Sequence, residues 1–299
     1  MQGERPQVDR QLPVGGEIFL DHVGHFVRDP QAAARALARA GFAPTPVSIQ
    51  VNPDADGTER VTGTGNVTAM LSRGYIEALF KTADTPLGRE LEAALARHGG
   101  VHLAAFAVAD AAAAHRRLAA AGFRMQPLIE MRRPVDTGAL PGTAAFTLAR
   151  LAPGQMPEGR IQILTHHSEP MVWQPRWLEH PNGALALTGI VIAVGDPEEA
   201  AGRFTRFTGG AAARSPSGHR IALDRGCVEL VSADAFRRQL PEVPIPSLPF
   251  AGAYAVRVAS LPRLDDLLRH AGLTARRSGQ GLVAPFPAEL GQGAWLFAE

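Results

Sequence analysis

Residues 19–30, FLDHVGHFVRDP, join an apolar strand pattern directly to the start of a helix. The side-chain oxygen of an aspartate such as Asp29 accepts hydrogen bonds from the first free amides of a helix. Pro30 fits the first helical turn, where its missing amide hydrogen costs nothing. The Ala/Leu/Arg segment that follows ends at Gly41-Phe42, and glycine commonly terminates a helix in the left-handed conformation. The pattern therefore predicts a strand followed at once by a helix.

The same pattern recurs three more times, which indicates an internal repeat. Each recurrence has an apolar strand, a helix-capping residue and a glycine near the helix end: Val101–Val108, Asp110 and Gly122; Ile190–Val194, Asp196 and Gly209; Tyr254–Val258, Ser260 and Gly272. Two further strand-like segments follow each helix: Val67–Leu71 and Tyr75–Phe80, Ala144–Ala149 and Arg160–Leu164, Arg220–Leu223 and Cys227–Val231, Gly281–Ala284 and Ala294–Phe297. The sequence thus predicts an α+β protein of four β-α-β-β-β modules.

The segments between the modules suggest the domain boundaries. Residues 1–17 are polar and lack an apolar core, so they are expected to form a disordered leader rather than a secretory signal. Residues 18–180 would form the N-terminal module pair and residues 181–299 the C-terminal pair. Pro86–His98 is expected to be an extra helix, Pro170–Asn182 a crossover between the pairs, and Pro241–Pro249 an extended connector.

Composition limits the class of protein. Hydrophobic residues make up 45% and charged residues 20% of the 299 residues, as in a soluble globular protein. The net charge of +1 gives no global field that would favour nucleic acid or an anionic membrane. The single cysteine, Cys227, excludes an intramolecular disulfide and a thiolate metal cluster. The expectation is a cytoplasmic protein that acts on a small-molecule substrate, with a homodimer as the candidate assembly.

Short motifs within the modules resemble those of the glyoxalase-like, or vicinal oxygen chelate, superfamily. The matching motifs are Leu20-Asp21-His22-Val23, Gly74-Tyr75-Ile76-Glu77 and Val101-His102-Leu103, with weaker matches at Gly63-Thr64-Gly65-Asn66, Thr165-His166-His167 and His180-Pro181-Asn182-Gly183-Ala184. That superfamily includes glyoxalase I, extradiol dioxygenases and fosfomycin- or bleomycin-resistance proteins. The resemblance implies two pseudo-symmetric, cup-shaped β-sheet barrels flanked by helices, each made by a pair of modules.

The resemblance also implies a metal site, because the superfamily takes its ligands from the first and last strands of paired modules. Matched by position, the ligands are His22, His102, Glu77 and Gln162. Two imidazoles and one carboxylate leave coordination positions open for water and substrate, and they suit Fe, Mn, Ni or Zn. A divalent metal ion is therefore the expected cofactor, and Glu77 is a candidate catalytic base.

The sequence departs from the better-known members at several positions. Glyoxalase I has a carboxylate where this chain has Gln162, and extradiol dioxygenases hold their metal in the second module pair. Here Gly189 and Gly252 occupy the histidine positions of that pair, and only Glu229 remains. The C-terminal pair is therefore expected to be metal-free.

Other polar residues have both a functional and a structural interpretation. His166, after the last strand of the second module, is a candidate proton shuttle, since imidazole titrates near neutrality, or simply part of a turn. Arg132, Arg133 and Arg150 lie on or beside the middle strands of that module. Each is either a substrate-binding residue that pairs with a carboxylate or a solvated surface residue.

Two functions remain open from the sequence. The first is a metal-dependent enzyme of lyase, isomerase or dioxygenase type, acting on a small oxygen-bearing substrate through the metal as a Lewis acid. The second is a non-catalytic protein that sequesters a small molecule in the same cup, as resistance proteins of the superfamily do.

Overall fold

The computed structural model describes residues 10–53, 58–138 and 141–299 and confirms the predicted α+β class. The first module contains β1 (Ile18–Phe26), α1 (Pro30–Arg39), β2 (Ser48–Pro53), β3 (Glu59–Met70) and β4 (Tyr75–Lys81). The helix α2 (Pro86–Arg97) leads into the second module, which contains β5 (Gly100–Val108), α3 (Ala111–Ala120), β6 (Ile129–Asp136), β7 (Pro141–Arg150) and β8 (Arg160–His166). The short helix α4 (Glu169–Val172) and a single turn at Pro175–Trp177 then cross to the C-terminal half.

The C-terminal half repeats the module pattern twice. The third module contains β9 (Ala184–Val194), α5 (Pro197–Thr208), β10 (Ala212–Ser215), β11 (Gly218–Ala222) and β12 (Cys227–Ser232), followed by α6 (Ala233–Gln239). The fourth contains β13 (Phe250–Val258), α7 (Leu261–His270), β14 (Arg276–Ser278), β15 (Gly281–Pro285) and β16 (Ala294–Ala298).

The eight strands of the N-terminal half close into a barrel. Their order is β1-β4-β3-β2-β6-β7-β8-β5, and antiparallel pairing of β5 with β1 closes the ring. In the C-terminal half, β9 and β13 pair at the centre, with β12, β11 and β10 on one side and β16, β15 and β14 on the other. A bridge between Ala251 and Val101 joins the two halves. The second cup is thus open where the first is a closed barrel.

The helix-start signals predicted from the sequence are confirmed. The side chains of Asp29, Asp110, Asp196 and Ser260 each accept a hydrogen bond from a backbone amide in the first turn of their helix. Because these caps recur at the same point of each module, each of the four helices begins directly after the first strand of its module.

Two β-bulges in the closing pair of strands determine which side chains enter the barrel. Asp21 is the extra residue between Leu20 and His22 of β1, and His102 is the extra residue opposite the step from Gly24 to His25. A glycine packs against the backbone carbonyl of each bulged residue. A Cβ on Gly74 would lie 2.6 Å from the Asp21 oxygen, and one on Gly159 would lie 2.5 Å from the His102 oxygen. Asp21 and His102 therefore occupy equivalent bulges in the two modules.

The described part of the predicted leader contacts the folded body. Arg225, from the loop between β11 and β12, donates from Nη1 to the carbonyl oxygens of Arg10 and Gln11 at 2.9 and 3.2 Å. Residues 1–9 lie outside the described residues. Across the part of the chain that is described, no helix combines the length and apolarity needed to cross a membrane.

Candidate functional site

The interior of the N-terminal barrel contains a small polar chamber of about 30 Å³. Its polar lining comes from both modules and comprises His22, Gln50, Asn66, Tyr75, Glu77, Arg133, Arg150, Arg160 and Gln162. We call this space the central chamber. This volume is far below the roughly 300–1,000 Å³ of an ordinary ligand pocket, so a substrate must extend into a neighbouring space.

His22 is held in the chamber by the carboxylate of Asp21. His22 Nδ1 lies 2.7 Å from Asp21 Oδ2, and His166 Nε2 lies 3.0 Å from Asp21 Oδ1. An ionised carboxylate only accepts hydrogen bonds, so Nδ1 of His22 carries a proton and its Nε2 is the nitrogen that faces the chamber. The His22 ring stacks on Tyr75 at 4.2 Å between ring centroids, which fixes its plane.

Asp21 remains ionised although it has no solvent exposure. Burial alone would raise the pKa of this carboxyl, but the charge and hydrogen bond of His166 and the hydrogen bond from His22 outweigh burial and lower the pKa. A buried charge is stable when it is paired and hydrogen-bonded in this way. His166 thus lies behind Asp21 rather than in the chamber, and its Nδ1 is buried without a hydrogen-bond partner among the described residues.

Glu77 faces His22 across the chamber. Its Oε2 lies 3.6 Å from His22 Nε2. Its Oε1 accepts hydrogen bonds from Asn66 Nδ2 at 2.5 Å and from Gln50 Nε2 at 3.4 Å. These two amides fix the orientation of the carboxylate, so Glu77 and His22 present one oxygen and one nitrogen to the same point.

Strand alternation decides which of the three arginines predicted to bind substrate face the chamber. Arg133 is 7% exposed and lines the chamber, whereas its neighbour Arg132 lies on the opposite face of β6 and is exposed. Arg150 also lines the chamber and donates from Nε to Gln162 Oε1 at 3.0 Å. A third chamber arginine, Arg160, was not among the predicted site residues.

His102 does not join His22 and Glu77. Its Nε2 lies 2.9 Å from the backbone oxygen of His98, and its ring stacks on His98 at 4.1 Å. The neighbouring Leu103 lines the chamber instead. The physical reason is the bulge at His102, which makes this residue the counterpart of Asp21 and makes Leu103 the counterpart of His22.

The expected His/His/Glu metal set is therefore not assembled by this geometry. Within residues 10–53, 58–138 and 141–299, no three His, Cys, Asp or Glu side chains cluster as metal ligands. His22, Glu77 and Gln162 form a partial set, and the Gln162 oxygen already accepts from Arg150. Catalytic metal sites usually have three protein ligands, so the fit to a divalent ion is incomplete.

Two larger cavities adjoin the chamber. One, of about 610 Å³, shares Arg133 with it and has a largely apolar wall that includes Val47, Ile49, Met171 and Trp177. We call it the apolar cavity.

The other, of about 440 Å³, shares Arg150 and Arg160 with the chamber and also contains Arg97 and Glu90. We call it the arginine cavity.

Comparison with known proteins agrees with this architecture. A family model described as a glyoxalase-like domain matches residues 20–208. No curated protein sequence matches the chain.

Three solved structures share the fold. A hypothetical protein from Staphylococcus aureus has 9% identity and a TM-score of 0.62, covering 94% of this chain and 99% of that one. A 4-hydroxymandelate synthase mutant from Streptomyces coelicolor has 14% identity and a TM-score of 0.56, covering 94% and 92%. An Mn(II)-bound glyoxalase from Novosphingobium aromaticivorans has 14% identity and a TM-score of 0.52, covering 94% and 81%.

Proposed function

This chain belongs to the glyoxalase-like domain family, and from that premise we propose that its N-terminal barrel is an enzyme site that moves a proton on a small, oxygen-bearing organic acid. The observation that carries the proposal is the buried Asp21–His22 pair, whose second imidazole nitrogen, Nε2, faces Glu77 inside the chamber. A histidine held by a buried carboxylate is suited to general acid–base work. The reaction class is a lyase or isomerase.

In the proposed step, His22 Nε2 accepts a proton from a carbon next to a carbonyl group of the substrate. The Asp21 carboxylate stabilises the imidazolium that forms, and the electron pair of the broken C–H bond moves onto the carbonyl oxygen. The guanidinium of Arg133 stabilises the resulting oxyanion or a neighbouring carboxylate of the substrate. For a substrate with a hydroxyl group on the carbon that lost its proton, transfer of the hydroxyl proton to the former carbonyl oxygen and return of the proton from Nε2 to the former carbonyl carbon complete an isomerisation.

The apolar cavity defines the rest of the substrate. Val47 and Ile49 are 42% and 39% exposed, and with Trp177 they form an accessible apolar wall that ends at Arg133. No hydrogen bond or ion pair to Arg133 is formed by the described residues, so its guanidinium is available to an anion. The expected substrate is an organic acid with an apolar ring or chain, placed with its polar end in the chamber.

The test is solvent deuterium exchange, followed by proton NMR, on a panel of oxo- and hydroxy-acids with aromatic or aliphatic tails. Catalysed exchange at the carbon next to the carbonyl is expected with the wild-type protein and is lost in His22→Gln. His270→Gln, at an exposed position on α7, is the matched control and should exchange as the wild type does. Binding of panel members without exchange would instead support a protein that sequesters its ligand.

A second candidate function is metal-dependent, and the 3.6 Å separation of His22 Nε2 and Glu77 Oε2 favours it. His22, Glu77 and Gln162 would hold a divalent ion such as Fe, Mn, Ni or Zn. Asp21 on His22 and Asn66 on Glu77 resemble the outer partners that orient metal ligands. The ion would supply Lewis-acid chemistry. Elemental analysis of untagged protein tests this candidate: near-stoichiometric metal that is lost in Glu77→Gln supports it.

A further inference from the structure

The arginine cavity has a charge pattern that the proposed proton transfer does not use. It lies between α2 and the loop joining β7 to β8, and it shares no lining residue with the apolar cavity. Arg97, Arg150 and Arg160 line it, and Glu90 is the only carboxylate among its described lining residues. The cavity therefore concentrates positive charge in a space of about 440 Å³.

Two of these arginines are neighbours on one face of the sheet. Arg150 of β7 pairs with Gln162 of β8, and Arg160 lies two residues before Gln162 on the same strand. Side chains in this diagonal relation are within reach of each other, and like charges so placed are destabilising. Burial and then the charge of Arg160 lower the pKa of Arg150 to about 9, although Glu90 and Glu77 oppose the shift.

Arg160, in the wall of this cavity, retains an unused donor. Its side chain is 7% exposed, and its Nε donates to Glu90 Oε1 at 3.0 Å. Its Nη2 is buried without a hydrogen-bond partner among the described residues. A buried donor without a partner costs free energy, so a rotation of the guanidinium that turned Nη2 toward a ligand oxygen in the cavity would be stabilising.

We propose that the arginine cavity is a second ligand site, which binds a small molecule through a doubly charged oxyanion such as a phosphate group. Arg150 and Arg160 would contact the anion from the sheet, and Arg97 would contact it from the end of α2. Guanidinium groups match phosphate oxygens in geometry as well as charge. The apolar side chains of Phe26, Met156 and Leu151 line the same cavity and would contact the organic part of the ligand.

His102 lines this cavity but contributes no charge to it. Burial lowers its pKa to about 4, and its Nε2 is engaged by the His98 carbonyl. Anion binding is therefore expected to be unchanged between neutral and mildly acidic pH, apart from the protonation of the phosphate itself.

The test is titration of the full chain with inorganic phosphate, and separately with acetate at equal ionic strength, followed by calorimetry. Phosphate is expected to bind saturably and acetate at least tenfold more weakly. Arg97→Met, at an exposed position on α2, should weaken phosphate binding about tenfold, because a hydrogen bond to a charged group is lost. Arg89→Met is the matched control: it removes an exposed arginine from the same helix, paired with Asp84 and absent from the cavity lining, and should have no effect.

Absence of saturable phosphate binding below about 10 mM would overturn the proposal. So would an equal loss of affinity in Arg97→Met and Arg89→Met, because it would indicate a diffuse charge effect. The site does not depend on the proposed function, and the two fail separately. His22→Gln should leave phosphate binding intact, and Arg97→Met should leave deuterium exchange intact.

Discussion

Replacement of Asp21 by asparagine tests the role of the buried carboxylate that orients His22. Asp21 has no solvent exposure and accepts hydrogen bonds from His22 at 2.7 Å and from His166 at 3.0 Å. Each hydrogen bond to a charged group contributes about 1.5–3 kcal/mol, and asparagine keeps one acceptor oxygen but loses the charge. We therefore expect a loss of about 3 kcal/mol in the free energy of unfolding at neutral pH.

This loss converts into a measurable fall in Tm. A chain of 299 residues unfolds with an entropy of about 0.6 kcal/mol per kelvin, so about 3 kcal/mol corresponds to about 5 °C if unfolding is two-state. Calorimetry or thermal unfolding followed by circular dichroism measures it. Asp29→Asn is the matched control, because asparagine caps a helix as well as aspartate does and the change there should be close to zero.

The pH dependence of the free energy of unfolding tests the role of Asp21 in a second, independent way. The folded pKa of Asp21 lies below its ordinary value of 3.8, so the unfolded chain binds the proton first as pH falls. The stability from Asp21 is therefore complete above about pH 5 and is lost as pH falls through the folded pKa. The difference between wild type and Asp21→Asn should shrink in acid. An Asp21→Asn variant no less stable than Asp29→Asn at neutral pH would refute the reasoning.

Three further predictions concern other buried groups. Burial lowers the pKa of His25 to about 4, despite its hydrogen bond to the Leu290 carbonyl, so the wild type should lose stability as pH falls from 6.5 toward 4. In denaturant titrations, His25→Gln should reduce this dependence of the free energy of unfolding on pH. An unchanged dependence would contradict the prediction. Arg203→Met should lower the free energy of unfolding in urea by about 3–5 kcal/mol, because it leaves the buried Glu158 carboxylate between the two halves without its charged partner. The exposed Arg206→Met on the same helix should lower it little. Equal losses would show that the pair does not contribute to stability. His102→Gln should leave deuterium exchange and any metal content unchanged, since His102 faces the arginine cavity, whereas His22→Gln should reduce both. Equal losses in the two variants would show that His102 belongs to the same site as His22.

The repeat made most of the fold predictable, because each module carries its own helix cap and glycine. The same logic failed where the strands are irregular. Strand alternation places Asp21 and His22 on opposite faces, but Asp21 lies in a bulge and its carboxylate contacts the His22 ring. A signal for this was present in the sequence: Asp21 precedes Asp29 by eight residues, as His102 precedes Asp110, so His102 corresponds to Asp21 and not to His22.

The arginines show a second limit of prediction from the sequence alone. Alternation along β6 separates Arg132 from Arg133, but the face that points inward depends on how the barrel closes, which a single strand does not reveal. Arg160 begins β8 directly after Gly159, and its inward position follows from the pairing of β8 with β5 and β7. Such long-range pairings are set by the whole sheet rather than by local sequence.

The protonation state of His22 tests the central claim most directly, and it needs no substrate. Long-range proton–nitrogen NMR on protein labelled at its histidines distinguishes a protonated Nδ1 from a protonated Nε2, with His22→Gln assigning the signal. We predict that at about pH 7 the proton is on Nδ1 in the wild type and moves to Nε2 in Asp21→Asn, because an asparagine amide can donate to Nδ1. A wild-type His22 with its proton on Nε2, or on both nitrogens, would contradict the assignment of His22 as the base of this site.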